Sequence, residues 1–488
     1  MASSYWLTRL FYLRGLGALY VLIGVMLYFQ GPDLIGPNGL TPVKTVSDQL
    51  QSQGKTLEVF LKYPSLLFVT NSEATLYAMS ALCFFLGLLL FWGKANGLML
   101  FALWFIQLSL VNGAGRFWSF GWETMMLEMT LLSVFFVHPW RWDLLSKKNV
   151  VPTYIALLPL LWMMFRLMLG AGLIKVRGDA CWLDFTCMDY HYQTQPNPHP
   201  LSHFYHHRPL WFHRFEIGMT HFYELFVPVL LLLPRLARIS GGVLIIVFQI
   251  TLISTGNLAY LNWQTMVLAL LSFDDHLLSR LVFSKTHKAW RSVKDLSPTR
   301  VHQGVALAVV LLVAALSYKP IKNMISPQQR MNESYSGYHL VNSYGLFGSI
   351  TKVRNEIIIK GTTDSEINEN TKWQEYEFYC KPGDISKRPC WITPYHLRLD
   401  WQMWFSAMRP RISEPWLVNL VQKMLNNDPA VDRLLEHNPF RDKEAPKFIK
   451  MDLYVYKFSD PGDKVWWRRE FKSAYMPPVS LNNFQTGQ

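Results

Sequence analysis

Six of the fourteen histidines fall within Cys187–Glu216, in the stretch CMDYHYQTQPNPHPLSHFYHHRPLWFHRFE. His203, His206 and His207 stand at i, i+3 and i+4, so a helix there puts them on one face, with the carboxylates of Glu216 and Glu224 near in sequence. Zinc sites use such spacing. Against that reading, aromatic residues and arginines are threaded between the histidines in HFYHHRPLWFHRF. An interfacial helix needs that mixture, with ring bodies at headgroup level and polar tips in water. Zinc also demands three or four ligands converging on one point, whereas Pro196, Pro198, Pro200 and Pro209 divide the stretch into separately directed pieces. A structured loop without metal is expected, lying on the membrane surface. Trp211 and Phe212 should enter the apolar boundary, and the histidines should be spread over several packing and hydrogen-bonding roles.

Two further groups of residues have chemical potential. Arg14, Glu123, Glu128, Arg166, His221 and Glu224 lie inside apolar runs, where a charge costs roughly 2.5 to 3.5 kcal/mol on insertion scales and so faces a partner or a wet cavity. An Arg166–carboxylate pair that fixes helix packing is the simpler expectation. The alternative is a catalytic cavity lined by Arg166, Lys175, His191, His221 and Glu224. The other group is RLDWQMWF, Arg398–Phe405. Its Arg398, Asp400, Trp401 and Trp404 are candidates for binding a protein partner if exposed, and core or interface residues if not.

These residues must be positioned by membrane helices. Half of the 488 residues are apolar, including 31 Phe, 22 Tyr and 19 Trp, yet mean hydropathy is only +0.11. The polar residues are concentrated after Lys319, so the chain reads as part bilayer and part water. Apolar runs of roughly 18 to 20 residues are needed to cross a bilayer core. The candidates are 10–29, 76–92, 97–111, 125–137, 154–174, 217–233, 239–255, 258–273 and 301–317, about nine spans. No cleavable leader is evident, so the first run is expected to remain as an anchor.

The net charge of +13 follows topology rather than nucleic acid, because Lys and Arg cluster at the ends of apolar runs and no base-reading motif is present. With the N-terminus inside, the inside segments hold Arg9, Arg14, Lys94, Arg141, Lys147, Lys148, Arg235, Arg238, Arg280, Lys285, Lys288, Arg291, Lys294 and Arg300. The outside loops hold only Lys44, Lys55, Lys62, Arg116, Lys175, Arg177, Arg208 and Arg214. An odd number of spans then puts residues 319–488 on the outer or lumenal side. Cys181 and Cys187 share one outside loop, and Cys380 and Cys390 flank the turn-rich KPGDISKRP, so two local disulfides are expected on the oxidising side. Cys83 reads as a buried hydrophobe.

The last 170 residues change character. VRNEIIIK (353–360), WQEYEFYC (373–380) and FIKMDLYVYKF (448–458) combine partial alternation with β-branched and aromatic residues, and KPGD and DPGD supply turns. Helices are expected over 415–426 and 430–437. The fold class is thus a multi-pass α-helical membrane domain over 1–318, with an outside loop at 175–216, followed by a soluble β-rich (α+β) domain over 319–488. A β-sandwich is a variant of that expectation.

The run MMFRLMLGAGLIKVRGDACWLDFTCMDYHYQTQPNPHPLSHFYHHRPLWFHRFE, then HFYELFVP, ISTGNLAYLNWQTMV and FDD, resembles the lipase maturation factors, and HLRLDWQMWF is similar to that family's C-terminal signature. The resemblance covers most of the chain. It implies a polytopic membrane protein that helps secreted lipases fold and assemble, with no cofactor and no catalytic residues to carry over. It places the chain in the endoplasmic reticulum membrane if eukaryotic and the inner membrane if bacterial, with the C-terminal domain lumenal or periplasmic. The expected partners are a secreted lipase or other exported client and the lipid bilayer. Trp211, Phe212 and the Arg398–Trp404 group are the candidate client contacts. The layout is also distantly similar to the gamma-glutamyl carboxylases, which keeps a membrane enzyme as the rival reading.

Overall fold

The computed structural model describes residues 4–52, 56–410, 412 and 414–485; Lys55, counted above among the outside charges, lies outside them. Helices begin where capping residues precede apolar runs: Ser72 before Glu73–Phe91, Asn96 before Gly97–Gly113, Thr153 before Tyr154–Gly178 and Thr299 before Arg300–Leu316. Each cap accepts a bond from a backbone N–H in the first turn of its helix. The first helix, Trp6–Ile35, is capped from far away, with Asp275 accepting from the backbone N–H of Trp6 and Leu7 at 2.8 Å each. A carboxylate there also offsets the helix dipole.

Among the described residues, four helices are long and apolar enough to cross a membrane: Trp6–Ile35, Glu73–Phe91, Tyr154–Gly178 and Arg235–Thr255. The bent pair Arg300–Leu316 and Tyr318–Ile325, turning by 40°, makes a fifth if taken as one span. The other apolar runs are also helical but shorter or interrupted: Gly97–Gly113, Gly121–Val134, Leu261–Ala269, and Leu210–His221, which continues through a π-helical turn at Phe222–Phe226 into Val227–Leu230. Trp6–Ile35 and Glu73–Phe91 pack backbone to backbone. A Cβ at Gly17 would sit 2.7 Å from the Gly87 carbonyl oxygen, so neither position tolerates a side chain.

The segments whose basic residues were counted as inside gather at one end of the bundle. Arg9 donates to the carbonyls of Phe136 (2.8 Å) and Val150 (2.7 Å), Lys94 pairs with Asp143, and Arg235 pairs with Asp274. At the other end Gln30 donates to His396 O (2.9 Å), Asp33 pairs with Arg433, and Arg116 pairs with Glu414 at 3.0 Å.

The C-terminal half holds a four-stranded antiparallel sheet, order β2-β1-β3-β4, with β1 Arg354–Thr362, β2 Gln374–Glu375, β3 Phe448–Phe458 and β4 Trp467–Val479. β1 and β3 pair from Arg354↔Tyr456 to Thr362↔Phe448. Helices Arg398–Ala407, Pro415–Leu425 and Pro429–Leu434 lie between β2 and β3 in sequence, so the region is α+β and not a sandwich. Strand 373–380 shortens to two residues: Tyr376 N–H still bonds Ile359 O at 3.0 Å, but Glu377 bridges to His437, and the N–H groups of Cys380 and Lys381 go to Asp400 Oδ1 at 2.7 and 2.9 Å. One hydrophobic core runs through both halves, from Leu13 and Met126 to Ile357, Trp401 and Leu420.

Both expected disulfides are present, Cys181–Cys187 with Cα atoms 4.9 Å apart and Cys380–Cys390 with 5.4 Å, and Cys83 is free and buried. Each closes a short loop, so Cys181→Ser is expected to cost about 2 to 3 kcal/mol. Non-reducing alkylation followed by mass spectrometry checks the pairing. Free thiols at 181 and 187 in protein isolated from an oxidising compartment would exclude it.

Candidate functional site

The seam between the two halves is built from buried charges. Arg398, 1% exposed, donates to Glu123 at 2.6 Å and to the Phe117 carbonyl, lies over the Trp118 ring at 3.8 Å, and its backbone N–H bonds Gln30 at 3.0 Å. Gln107 holds the other oxygen of Glu123 at 2.8 Å. One arginine thereby ties the Arg398–Ala407 helix to three parts of the membrane half.

Arg354, at the start of β1, reaches the carbonyls of Gln193 (2.9 Å), Gln195 and Pro196 (3.0 Å), while Glu356 and Lys381 complete a buried triad. It pins the proline-rich part of the histidine loop to the sheet. A third junction joins Glu128 and Arg166 to residues 342–344, with Tyr344 OH donating to Glu128 at 2.8 Å and Arg166 bonding Glu128 and the Asn342 carbonyl. Residues 342–348 run close along Tyr154–Gly178 because Gly170 and Gly178 leave room. A Cβ at either would lie 2.5 Å from a carbonyl oxygen, of Tyr344 or of Gly348.

Above this seam opens a cleft of about 600 Å³, within the usual size range of ligand pockets. Six aromatic rings stand in its walls, Phe120 and Trp122 from the membrane half, Trp401, Trp404 and Phe405 from the Arg398–Ala407 helix, and Phe347 from the connecting segment, beside apolar Leu258, Leu261 and Met408 and the polar Arg116 and Arg409. Trp404 is fixed by donation of its indole N–H to Thr194 O at 2.9 Å, yet it remains half-buried, and Phe405 is 36% exposed. Behind the cleft floor, buried His396 is boxed by Phe120, Trp122 and Trp401, and burial holds its pKa well below the ordinary histidine range.

The predicted residues divide by location. Arg398 and Asp400 are each 1% exposed and Trp401 is 5% exposed. Of the two alternatives left open for this group, the two charged side chains take the buried one, Arg398 on Glu123 and Asp400 on the backbone N–H groups of Cys380 and Lys381. Trp404, with one face of Trp401, lines the cleft. Trp211 is 68% exposed and Phe212 half-buried against Tyr205.

Four of the five residues of the enzyme reading lie near one another, and Arg166 lies apart from them. Lys175, His191 and Glu224 border a cavity of about 70 Å³ behind the cleft, room for several waters. Lys175 is neutralised by Glu224 at 2.8 Å and donates to Leu346 O at 3.1 Å. The π-helical turn sets Glu224 against Gly172, whose missing side chain admits it. Arg166 is bound to Glu128, and His221 bonds Trp182 O at 3.1 Å.

The histidine loop folds as three helices, Met188–Thr194, Ser202–His206 and the start of Leu210–His221. Its inner face packs on the sheet and not on lipid: Trp182, Met188, Tyr192 and Ile217 share a core with Ile358, Tyr456, Phe458 and Trp467. The sheet is thus a partner of the loop that the sequence reading did not name. Its outer face exposes Phe204, Leu210, Trp211 and Phe215, continuing into Phe222 and Phe226. His203 bonds Ser459 O at 2.9 Å, His207 bonds His203 O at 2.7 Å, and His213 lies between Asp189 (3.0 Å) and Tyr205 O (3.1 Å). Among the described residues no three His, Cys, Asp or Glu side chains are grouped to hold a metal ion. Burial lowers the pKa of His191, His199 and His206 to about 4.

Glu216 accepts from Tyr192 OH at 2.6 Å, and burial raises its pKa to about 7. A carboxyl raised in the folded state stabilises fully below its unfolded pKa and loses that contribution as pH rises through the folded value. Stability should therefore fall between about pH 4.5 and 7 on this account, and Glu216→Gln should flatten that slope. Thermal unfolding of both proteins across that range is the check; parallel pH profiles would contradict it.

Sequence reading missed Phe120, Trp122, Phe347 and the Arg354–Glu356–Lys381 triad. The only available signal was a pair of opposite charges two apart, on one face of an otherwise apolar strand.

Residues 7–280 match the family model described as the lipase maturation factor transmembrane domain, and residues 340–477 match the lipase maturation factor C-terminal domain. Lipase maturation factor 1 of Homo sapiens is 41% identical over an alignment covering 99% of this chain and 89% of that protein. The Bos taurus protein of the same name is 39% identical, covering 99% and 91%. Lipase maturation factor 2 of Rattus norvegicus is 28% identical, covering 99% and 84%. No solved structure matches the chain.

Proposed function

Because the chain belongs to the lipase maturation factor family, we propose that it is a membrane-embedded factor that helps secreted lipases reach their folded, assembled state. On this reading the aromatic cleft at the seam holds an apolar segment of the immature lipase. The observation that carries the assignment of the site is the cleft itself: about 600 Å³ walled by Trp122, Trp401, Trp404 and Phe405, on a frame fixed by buried ion pairs. A partly folded client exposes apolar side chains, and a rigid aromatic surface binds them without ordering costs of its own.

The same reading puts the protein in the endoplasmic reticulum membrane. About nine crossings over 1–318 carry residues 319–488 into the lumen, where the clients fold. The gathering of Arg9, Lys94 and Arg235 at one end of the bundle supports that orientation. Lys288→Cys should react with a membrane-impermeant thiol reagent only from the cytosolic side, and reaction only from the lumenal side would rule out the topology. In cells lacking their own factor, this chain should restore secretion of active lipase. Folded chain in the membrane with no restored lipase activity would overturn the assignment.

A further inference from the structure

At the end of the bundle opposite the cleft lies a groove of about 860 Å³. It runs between the start of Gly97–Gly113, the end of Gly121–Val134, the 135–151 connection and the start of Arg300–Leu316. Its walls are apolar and open to the surroundings: Leu98 is 57% exposed, Phe101 49%, Val301 78% and Val305 40%. One end is polar, bordered by Lys147, Lys148, His138 and His302.

The charge at that end is unbalanced. Lys147 and Lys148 are exposed, and neither has a carboxylate partner among the described residues. The nearest acid in their own loop, Asp143, is bound to Lys94, and Asp295, which precedes the groove residue Leu296, is bound to Lys294. His302 adds a buried Nε2 with no hydrogen-bond partner. An open apolar trough with two unpaired ammonium groups at one end has the shape and charge of one kind of molecule.

We propose that this groove binds one anionic phospholipid of the surrounding leaflet, its acyl chains along Leu98, Phe101, Val301 and Val305 and its phosphate between Lys147 and Lys148. The apolar walls lie on Gly97–Gly113 and Arg300–Leu316; with both in the bilayer, as the proposed topology requires, an acyl chain enters without leaving it. A headgroup with net negative charge gains from both ammonium groups, whereas a zwitterionic headgroup brings its own cation to them. The site is separate from the cleft, and its occupancy does not depend on the client reading.

The test uses the full chain in detergent micelles containing equal amounts of phosphatidylcholine and phosphatidylserine, with lipid adducts counted by native mass spectrometry. One retained phosphatidylserine per chain is expected, weakened roughly thirtyfold in the double variant Lys147→Gln/Lys148→Gln, from two lysine contacts of ordinary strength. Val305→Trp, which fills the groove without changing charge, should also remove it. Lys285→Gln/Lys288→Gln, in the basic helix Ser284–Arg291 outside the groove, should leave it intact. Equal retention of phosphatidylcholine, or an adduct that survives loss of Lys147 and Lys148, overturns the site. An equal loss in the Lys285/Lys288 variant overturns it too, by reducing the effect to diffuse surface charge.

Discussion

Arg398→Met should destabilise the protein by about 3 to 5 kcal/mol, since it strands the Glu123 carboxylate inside the seam with Gln107 as its remaining side-chain partner. Both side chains are essentially inaccessible, at 1% and 0% exposure, so water cannot replace the lost guanidinium. The same substitution releases the Phe117 carbonyl and removes the cation from the face of Trp118. Removing both charges together behaves differently, because a buried pair replaced by apolar groups of similar volume is often neutral. Arg398→Met/Glu123→Leu should therefore recover much of the stability that Arg398→Met loses. Fluorescence-detected size exclusion after graded heating reads both variants. An unchanged melting profile for Arg398→Met would mean that the seam does not hold the halves together.

Trp404→Ala tests the cleft rather than the frame. The indole is half-buried, contributes to the cleft wall and makes one hydrogen bond, to Thr194 O. Truncating an aromatic anchor of an interface costs about 2 kcal/mol, roughly thirtyfold in affinity. Client capture should fall by that order while the amount of folded chain stays close to the parent's. Trp404→Phe keeps a ring and loses the N–H, so it should retain most of the binding. Equal capture by parent and Trp404→Ala, at equal abundance, would remove the cleft from the mechanism.

Local patterns in the sequence reported local structure. The apolar runs became helices, FIKMDLYVYKF became β3 at its full length, and the two short-range cysteine pairs closed. RLDWQMWF was legible as an important element but not as a wall of a cleft, because its two faces are distinguished only by what packs on them. β4 escaped notice for a physical reason. Its Arg468, Arg469, Glu470 and Lys472 followed by Pro477-Pro478 suit an exposed edge strand and suppress the alternation that marks a buried one. Arg354 was invisible as an anchor because its acceptors are backbone carbonyls about 160 positions away, and a carbonyl has no sequence signature. The histidine loop was recognised as structured, but its partner was assigned to lipid. Trp182, Tyr192 and Ile217 turn inwards onto β1, β3 and β4, which periodicity along the loop does not reveal.

On the proposed function an immature lipase is held in the cleft walled by Trp122, Trp404 and Phe405. The most direct test of this is site-specific photo-crosslinking in membranes during lipase synthesis, with a benzophenone amino acid at position 405 and, as the control, at position 98 on the opposite end of the bundle. The cleft reading predicts crosslinks from 405 to newly made lipase that disappear once the lipase has folded, and none from 98. Crosslinks from 98 and not from 405, or crosslinks from 405 that persist with mature lipase, would contradict it.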